Sequence, residues 1–191
     1  MKSIYKYRKF KVSIIVLVVS LTLLLVFSIR PFQKENRENQ HFIDEIAPIA
    51  VKLNQQTGGV LPSIIIAQAI LESNYGKSEL AVKANNLFGI KGSYKGKSVK
   101  MPTIEYENNK SYTIEAEFRA YPDLKSALID HTKLFLDGTS WNKEQYYDVL
   151  AAANYQEAAH ALKKNHYSTD PKYPEKLIAI IEQYKLGKYD N

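Results

Sequence analysis

The chain has 191 residues, no cysteine and only four histidines. Without cysteine, a disulfide framework, a thiolate zinc site and a cysteine nucleophile are excluded. The sequence also lacks the H-E-x-x-H, G-x-S-x-G and G-x-x-x-x-G-K-[ST] motifs, which argues against a zinc hydrolase, a nucleophile-elbow hydrolase and a P-loop enzyme. We therefore expect no metal site and no cofactor. The length and the 45% apolar content favour one globular domain with at most a small additional lobe.

An excess of positive charge is confined largely to the N-terminal end. The net charge is +6, yet residues 1–29 contain five basic and no acidic side chains, which leaves 21 basic and 20 acidic side chains elsewhere. A nucleic-acid-binding domain needs its basic excess on the folded body. We therefore expect no nucleic-acid partner.

The uncharged run Val12–Ile29 is the longest apolar segment of the chain. As a helix, its 18 residues would be about 27 Å long, close to the thickness of the bilayer's hydrocarbon core. Because the basic residues precede it, residues 1–11 should stay in the cytoplasm, and 12–29 should be one transmembrane signal anchor. A polar linker at 30–40 and an extracellular domain at 41–187 would follow. The alternative is secretion after signal cleavage, although the apolar core of a signal peptide is usually only about 7–15 residues long and this run does not end in an A-x-A pattern.

Helical periodicity and helix-capping residues predict most of the domain. Apolar spacing over 42–53 predicts an amphipathic helix, which Pro48 should kink unless it lies in the first turn. Gly58-Gly59 should end it. Pro62 suits the first turn of a second helix, which is apolar nearly all round and therefore expected to be central. Gly76 is expected to close that helix.

The second half of the domain begins with alternating polar and apolar residues. This alternation over 112–119 predicts a half-buried strand, paired in a hairpin with 98–107 through a turn at Asn108-Asn109. Helical spacing then returns. The predicted helices and their N-caps are a short helix capped by Ser78, a helix from about 124 capped by Asp123, helices at about 143–151 and 156–165, and a helix over 171–184 with Asp170 as N-cap and Pro171 first. The sequence therefore predicts a mostly helical α+β domain with a small β-hairpin lobe.

Glu72 is the most unusual residue, because it ends the most apolar helix of the chain. Desolvation and the partial negative charge of a helix C-terminus both raise the pKa of a carboxyl group. A carboxyl that stays protonated near neutral pH is what a general acid requires. The alternative is that Glu72 lies on the one solvated stripe of the helix or caps a neighbouring backbone.

The hairpin offers a second carboxylate. Glu105 and Glu107 are two residues apart and therefore share one face of a strand. A two-residue turn would place Glu105 opposite Tyr112 and Glu107 opposite Lys110, so Glu107 has a ready ion-pair partner. Glu105 is farther from the turn. Two carboxyl groups on either side of a cleft would suit glycoside hydrolysis.

Five ordered segments carry a resemblance to a known family: Ala67–Ser78, Asn85–Gly92, Thr103–Tyr106, Phe118–Tyr121 and Tyr167–Tyr173. Over roughly 42–186 the chain resembles the bacterial endo-β-N-acetylglucosaminidases of glycoside hydrolase family 73. These are peptidoglycan hydrolases related to the flagellar muramidase-like protein and to staphylococcal and listerial autolysins.

The resemblance implies a lysozyme-like fold in which the hairpin forms one wall of a glycan groove. It also implies cleavage between N-acetylglucosamine and N-acetylmuramic acid in peptidoglycan, with Glu72 as the catalytic acid and Glu105 as the second carboxylate. The expected substrate-binding residues lie in the second and last of the five segments: Asn86, Phe88, Tyr167 and Tyr173. Partner proteins are not implied.

Two other functions remain open on the same fold. A muramidase or lytic transglycosylase would share the glutamate at the helix end, and a transglycosylase needs no second carboxylate. A non-catalytic glycan-binding module is the other alternative. The presence of both Glu72 and Glu105 argues against it.

Overall fold

A computed structural model describes residues 33–107 and 110–191, without the side chains of 104–107 and 110. The chain divides into two compact units, Met1–His41 and Phe42–Asn191. The predicted basic tail and signal anchor lie outside the described residues. Among the helices that the structure describes, none is long and apolar enough to cross a membrane. The segment assigned to a linker is helical from residue 33 on.

The described elements follow one another in the predicted order of helices and a hairpin. They are α1 (33–57), α2 (Pro62–Ser73), α3 (Glu79–Ala84), β1 (Ser98–Glu107), β2 (Lys110–Arg119), α4 (Leu124–Asp137), α5 (Tyr147–Leu150), α6 (Tyr155–Lys164), α7 (Tyr173–Tyr184) and a 3₁₀ helix (Leu186–Tyr189). Pro48 lies inside α1, which excludes the first-turn position and leaves the kink as the other predicted alternative. The mostly helical α+β class is confirmed.

Helix α2 is the central helix, as its apolar sequence predicts. Ten of its 12 residues are buried, and it packs against α6, α7 and the 3₁₀ helix. Pro62 occupies the first turn, and Leu61 at the N-cap offers no side-chain acceptor. Asp190, near the C-terminus, supplies one instead, because its carboxylate accepts hydrogen bonds from the backbone N–H (2.8 Å) and the hydroxyl (2.6 Å) of Ser63. The end of the chain therefore caps the start of the central helix.

Helix α2 is closed by a different residue from the one that the sequence predicts. Its last residue is Ser73, and Asn74 takes the left-handed C-cap position expected for Gly76. Asparagine tolerates this conformation better than most residues, so the helix needs no glycine to end there. Gly76 also has a positive φ, and a Cβ on it would lie only 2.8 Å from the Phe42 ring. This end at Ser73 leaves Glu72 in the last turn of α2.

The two-stranded sheet has the predicted register, although less of it is buried than expected. Glu105 pairs with Tyr112 and Glu107 with Lys110, while the turn at 108–109 lies outside the described residues. Phe118, near the base, is 8% exposed, whereas Tyr112 is 43% exposed. The expected half-buried strand is therefore correct only near the base, because no other layer of the described domain covers the outer half.

The capping predictions succeed at two helices and fail at a third. Ser78 caps α3, and Asp123 caps α4 by accepting a 2.7 Å hydrogen bond from the Ser126 backbone. Helix α7 begins at Tyr173 and not at residue 171. Its expected cap, Asp170, instead accepts hydrogen bonds from the Lys172 backbone and the Lys176 ammonium group. These bonds form a turn before the helix, and Pro174 takes the early helical position.

Candidate active site

Glu72 is the exposed residue at the end of an otherwise buried helix. Ile70 is 3% exposed and Ser73 is fully buried, whereas Glu72 is open to solvent. Since Ser73 after it is buried again, Glu72 is exposed because it lies on the face of the last helical turn that the core does not cover. A carboxyl group is thus accessible to a ligand while its backbone is fixed by the core.

Tyr173 connects this carboxyl to the last long helix. Its hydroxyl donates a 2.7 Å hydrogen bond to Oε1 of Glu72. The same hydroxyl accepts a 3.2 Å hydrogen bond from Nε2 of Gln68, one turn earlier in α2. Gln68 is fully buried and Tyr173 is 4% exposed. The Glu72 side chain is therefore oriented by a relay of two buried polar groups.

The surroundings of Glu72 favour its protonated form. Protein atoms around the carboxyl remove part of its hydration, and this desolvation raises its pKa above the ordinary value of 4.5. The hydrogen bond from Tyr173 and the positive charge of Lys176 act in the opposite direction and are weaker. The raised pKa expected from the sequence is confirmed in direction. This is the direction of shift that a proton donor requires.

A cluster of aromatic rings extends from Tyr173 into the core. The Tyr167 ring lies 5.9 Å from the Tyr173 ring, centroid to centroid, and its hydroxyl lies 3.4 Å from Nε2 of His131. Burial and the negative charge of Glu72 raise the pKa of Tyr167, so its hydroxyl stays protonated. The structure thus brings together three of the predicted site residues: Glu72, Tyr167 and Tyr173.

Phe88 joins the cluster by stacking on the ring of His131. The two rings stack at 3.8 Å with an interplanar angle of 16°. Because Phe88 is 6% exposed, it supports the histidine more than it offers a surface to a ligand.

Asn86 has a structural position that the sequence prediction did not foresee. Its side-chain NH₂ donates to the backbone oxygens of Ile90 and Arg119, both at 2.9 Å. Its Oδ1 accepts from the backbone N–H groups of Phe88 and Ile90. Since Asn86 is 1% exposed and bonded through both ends of its amide, direct substrate contact does not fit. It instead ties the loop after α3 to the end of β2.

The base of the hairpin is fixed by a charged cluster. The Arg119 guanidinium donates to Oδ2 of Asp130 at 2.5 Å, and the Tyr121 hydroxyl donates to the same oxygen at 2.7 Å. Asp130 lies on α4, so β2 is connected directly to the helical body. The register places position 105 opposite Tyr112, and the Glu105 side chain is outside the described residues.

Two buried polar residues of the site, Gln68 and His131, were not predicted from the sequence. Gln68 is the one long polar side chain within the apolar run of α2, and His131 occupies an apolar-face position of α4. A polar residue at an apolar position is a usable signal, although it does not identify the partner. Within the described part of the chain, no three His, Asp or Glu side chains are grouped as a metal site would need.

Comparison with known proteins decides the family. Residues 47–186 match the family model described as glucosaminidase, mannosyl-glycoprotein endo-beta-N-acetylglucosaminidase. The chain belongs to this glucosaminidase family. The catalytic domain of the autolysin Auto from Listeria monocytogenes has a similar structure, with a TM-score of 0.76 and 43% identity over 80% of this chain and 88% of that one. The predicted resemblance is therefore confirmed.

Two relatives of the glucosaminidase domain carry different activities in their names. The chain is 51% identical to the exo-glucosaminidase LytG of Bacillus subtilis over 91% of its own length and 61% of that protein. It is 42% identical to a probable N-acetylmuramidase of Lactococcus lactis over 83% of its length and 36% of that protein. The chain thus spans less than two thirds of both relatives.

Proposed function

We propose that the glucosaminidase domain hydrolyses the β-1,4 bond between N-acetylglucosamine and N-acetylmuramic acid in peptidoglycan, with Glu72 as the general acid. The main support is the Glu72 carboxyl, which is exposed at the end of a buried helix, has a raised pKa and is oriented by Tyr173. Protonated Glu72 gives its proton to the glycosidic oxygen as the bond to the sugar breaks. Family membership and the autolysin likeness support the substrate class.

Glu105 is proposed as the second carboxylate. Its register partner Tyr112 is exposed, and Ile114 on the same face of β2 is 39% exposed, so this face is available to a glycan. A carboxylate there would activate a water molecule or stabilise positive charge on the sugar. If Glu105 has neither role, attack by the acetamido group of the substrate is the remaining route.

A muramidase is the second candidate, because the Lactococcus lactis relative is named a probable N-acetylmuramidase. It would use the same general acid and cleave the other glycosidic bond of the repeating disaccharide. The Bacillus subtilis relative is named an exo-glucosaminidase. The digestion products of this protein should therefore be examined both for single sugars released from chain ends and for fragments from internal cleavage.

Identification of the new chain ends separates these functions. Purified peptidoglycan is digested with the protein, reduced and analysed by mass spectrometry. The proposal predicts reduced N-acetylglucosamine ends. Reduced muramic ends would identify a muramidase, anhydro ends a transglycosylase, and no products at all a glycan-binding module.

We also propose that residues 12–29 anchor the domain outside the cell membrane. The support is the run of 18 uncharged residues and the five basic residues that precede it. Fractionation of cells that express the full chain should recover it in the membrane, accessible to protease from outside. Recovery in the medium, with a new N-terminus after about residue 28, would instead indicate a cleaved signal peptide.

A further inference from the structure

His131 is a buried titratable residue that the proposed reaction does not use. It is fully buried on α4, and burial lowers its pKa to about 3, so the ring is neutral under ordinary conditions. The ring stacks on Phe88, and Nε2 lies 3.4 Å from the Tyr167 hydroxyl. Nδ1 has no hydrogen-bond partner among the described residues. A neutral imidazole carries one proton, and these contacts determine which nitrogen holds it.

The two tautomers of His131 differ in the kind of atom that is left without a partner. With the proton on Nδ1, a buried N–H donor is unsatisfied. With the proton on Nε2, the unsatisfied atom is an acceptor, and the N–H donates to Tyr167. Buried N–H groups without an acceptor are rarer in proteins than buried acceptors without a donor. The surroundings therefore favour the proton on Nε2.

The neighbouring relay has the same arrangement. Nε2 of Gln68 donates to the Tyr173 hydroxyl, and this hydroxyl donates onward to Glu72. Oε1 of Gln68 is a buried acceptor without a partner among the described residues. With its proton on Nε2, His131 would repeat this arrangement: a buried N–H group would donate to a tyrosine oxygen, and the acceptor at the far end of the same side chain would be unused. The hydrogen of Tyr173 is thereby directed to Glu72.

We propose that His131, protonated on Nε2, donates to the Tyr167 oxygen and so directs the Tyr167 hydroxyl hydrogen towards the glycan bound at Glu72. This inference rests on the proposed function. Tyr167 then acts as a hydrogen-bond donor to a carbonyl or hydroxyl oxygen of the sugar. His131 does not touch the substrate and is a positioning residue. With the opposite tautomer, Tyr167 would donate to His131 and could only accept a hydrogen bond from the substrate.

The tautomer can be measured without any activity. In a long-range ¹H–¹⁵N correlation spectrum of the ¹⁵N-histidine-labelled protein at pH 6.5, Nε2 of His131 should have the shift of a protonated nitrogen and Nδ1 that of a bare one. The assignment comes from loss of the signal in His131→Gln. A protonated Nδ1, or a doubly protonated ring, would overturn the proposal.

A double-mutant cycle tests the positioning role. His131→Phe keeps an aromatic ring against Phe88 and removes both nitrogens. With soluble glycan strands as substrate, kcat should fall about tenfold with KM changed less than twofold. Tyr167→Phe should lower kcat at least as much. The double variant should have the same kcat as Tyr167→Phe alone. His131→Gln, whose amide can still donate, should recover part of kcat. If the kcat losses of the two single variants multiply in the double variant, His131 does not act through the Tyr167 hydroxyl.

His160→Phe is the matched control, because His160 is exposed on α6. His160→Phe should leave both kcat and KM unchanged. Circular dichroism and a melting curve show whether His131→Phe folds. If it does not, the proposal is tested by the spectrum of the unaltered protein and by the kcat of His131→Gln. If the unaltered protein releases no glycan products, the proposed function fails, and the spectrum still tests the hydrogen bond to Tyr167. If it is active and His131→Phe is unimpaired, only the positioning role fails.

Discussion

The hydroxyl of Tyr173 donates a 2.7 Å hydrogen bond to Oε1 of Glu72 and joins two residues that are 101 positions apart in the chain. The bond holds the carboxyl in one orientation and stabilises its charged form. Desolvation opposes this stabilisation and is the larger effect, so the pKa of Glu72 is raised. The contact therefore sets both the direction and the acidity of the proposed proton donor.

Tyr173→Phe should raise the pKa of Glu72 further, because it removes a hydrogen bond that lowers this pKa. A general acid works in its protonated form, so the alkaline limb of the pH–rate profile should move to higher pH by about 0.5–1 unit. The measurement is kcat/KM for glycan cleavage as a function of pH. Tyr147→Phe is the control, since Tyr147 is 66% exposed. If the alkaline limb of Tyr173→Phe stays in place or moves to lower pH, the assignment of Glu72 as the general acid is contradicted.

Glu72→Gln should change stability in a pH-dependent way. The folded-state pKa of Glu72 lies above 4.5, so the folded protein binds this proton more tightly than the unfolded chain. The stability contribution of Glu72 is therefore fully present below pH 4.5 and is lost as the pH rises through the folded-state pKa. Glutamine does not titrate and keeps an oxygen for Tyr173. Melting curves should show a Tm at pH 7 equal to or above that of the unaltered protein, and no such gain below about pH 4.

Glu105→Gln should reduce the rate strongly, whereas Glu107→Gln should leave it near normal. Glu107 lies opposite Lys110 in the backbone register, and the ion pair expected between them would contribute only about 0–1 kcal/mol to stability if exposed. Initial turbidity loss of purified peptidoglycan compares the two variants. If Glu107→Gln is the inactive one, the residue assignment is wrong by two positions. If both are active, the hairpin carries no catalytic carboxylate.

Asp190→Ala should destabilise the domain by about 1–2 kcal/mol, as the loss of a helix N-cap does. The carboxylate of Asp190 accepts two hydrogen bonds from Ser63 at the start of α2, where Leu61 offers none. Denaturant unfolding measures the change. Asp137→Ala, which removes an exposed 3.7 Å ion pair with Lys133, should change stability by less than about 0.5 kcal/mol. An equal effect of the two substitutions would exclude a capping role for Asp190.

Local rules predicted much of this fold. Pro62, Ser78 and Asp123 begin helices because each has a conformation or an acceptor that the first turn requires. The strand register followed from a two-residue turn, since one pair of opposed residues fixes all the others. Glu72 stood out as the candidate acid because Asp and Glu seldom occur next to an apolar helical run, and its role stays a prediction.

Tertiary contacts account for most of what the sequence left unpredicted. The hydrogen bond between Tyr173 and Glu72 depends on how α7 packs against α2, which no local pattern encodes. Asp170 binds Lys176 and therefore does not cap α7. Asn86 lies within one of the family motifs. Only the structure shows that both ends of its side-chain amide are hydrogen-bonded to backbone groups.

The rate of reducing-end release from purified peptidoglycan by Glu72→Gln, compared with the unaltered protein, tests the central claim most directly. Glu79→Gln serves as the control, because Glu79 is exposed on α3 and pairs with Lys83. Loss of general acid catalysis should reduce the rate by about 10²–10⁴-fold while the melting curve remains cooperative. A folded Glu72→Gln protein that retains activity within about tenfold of the unaltered protein would show that Glu72 is not the general acid.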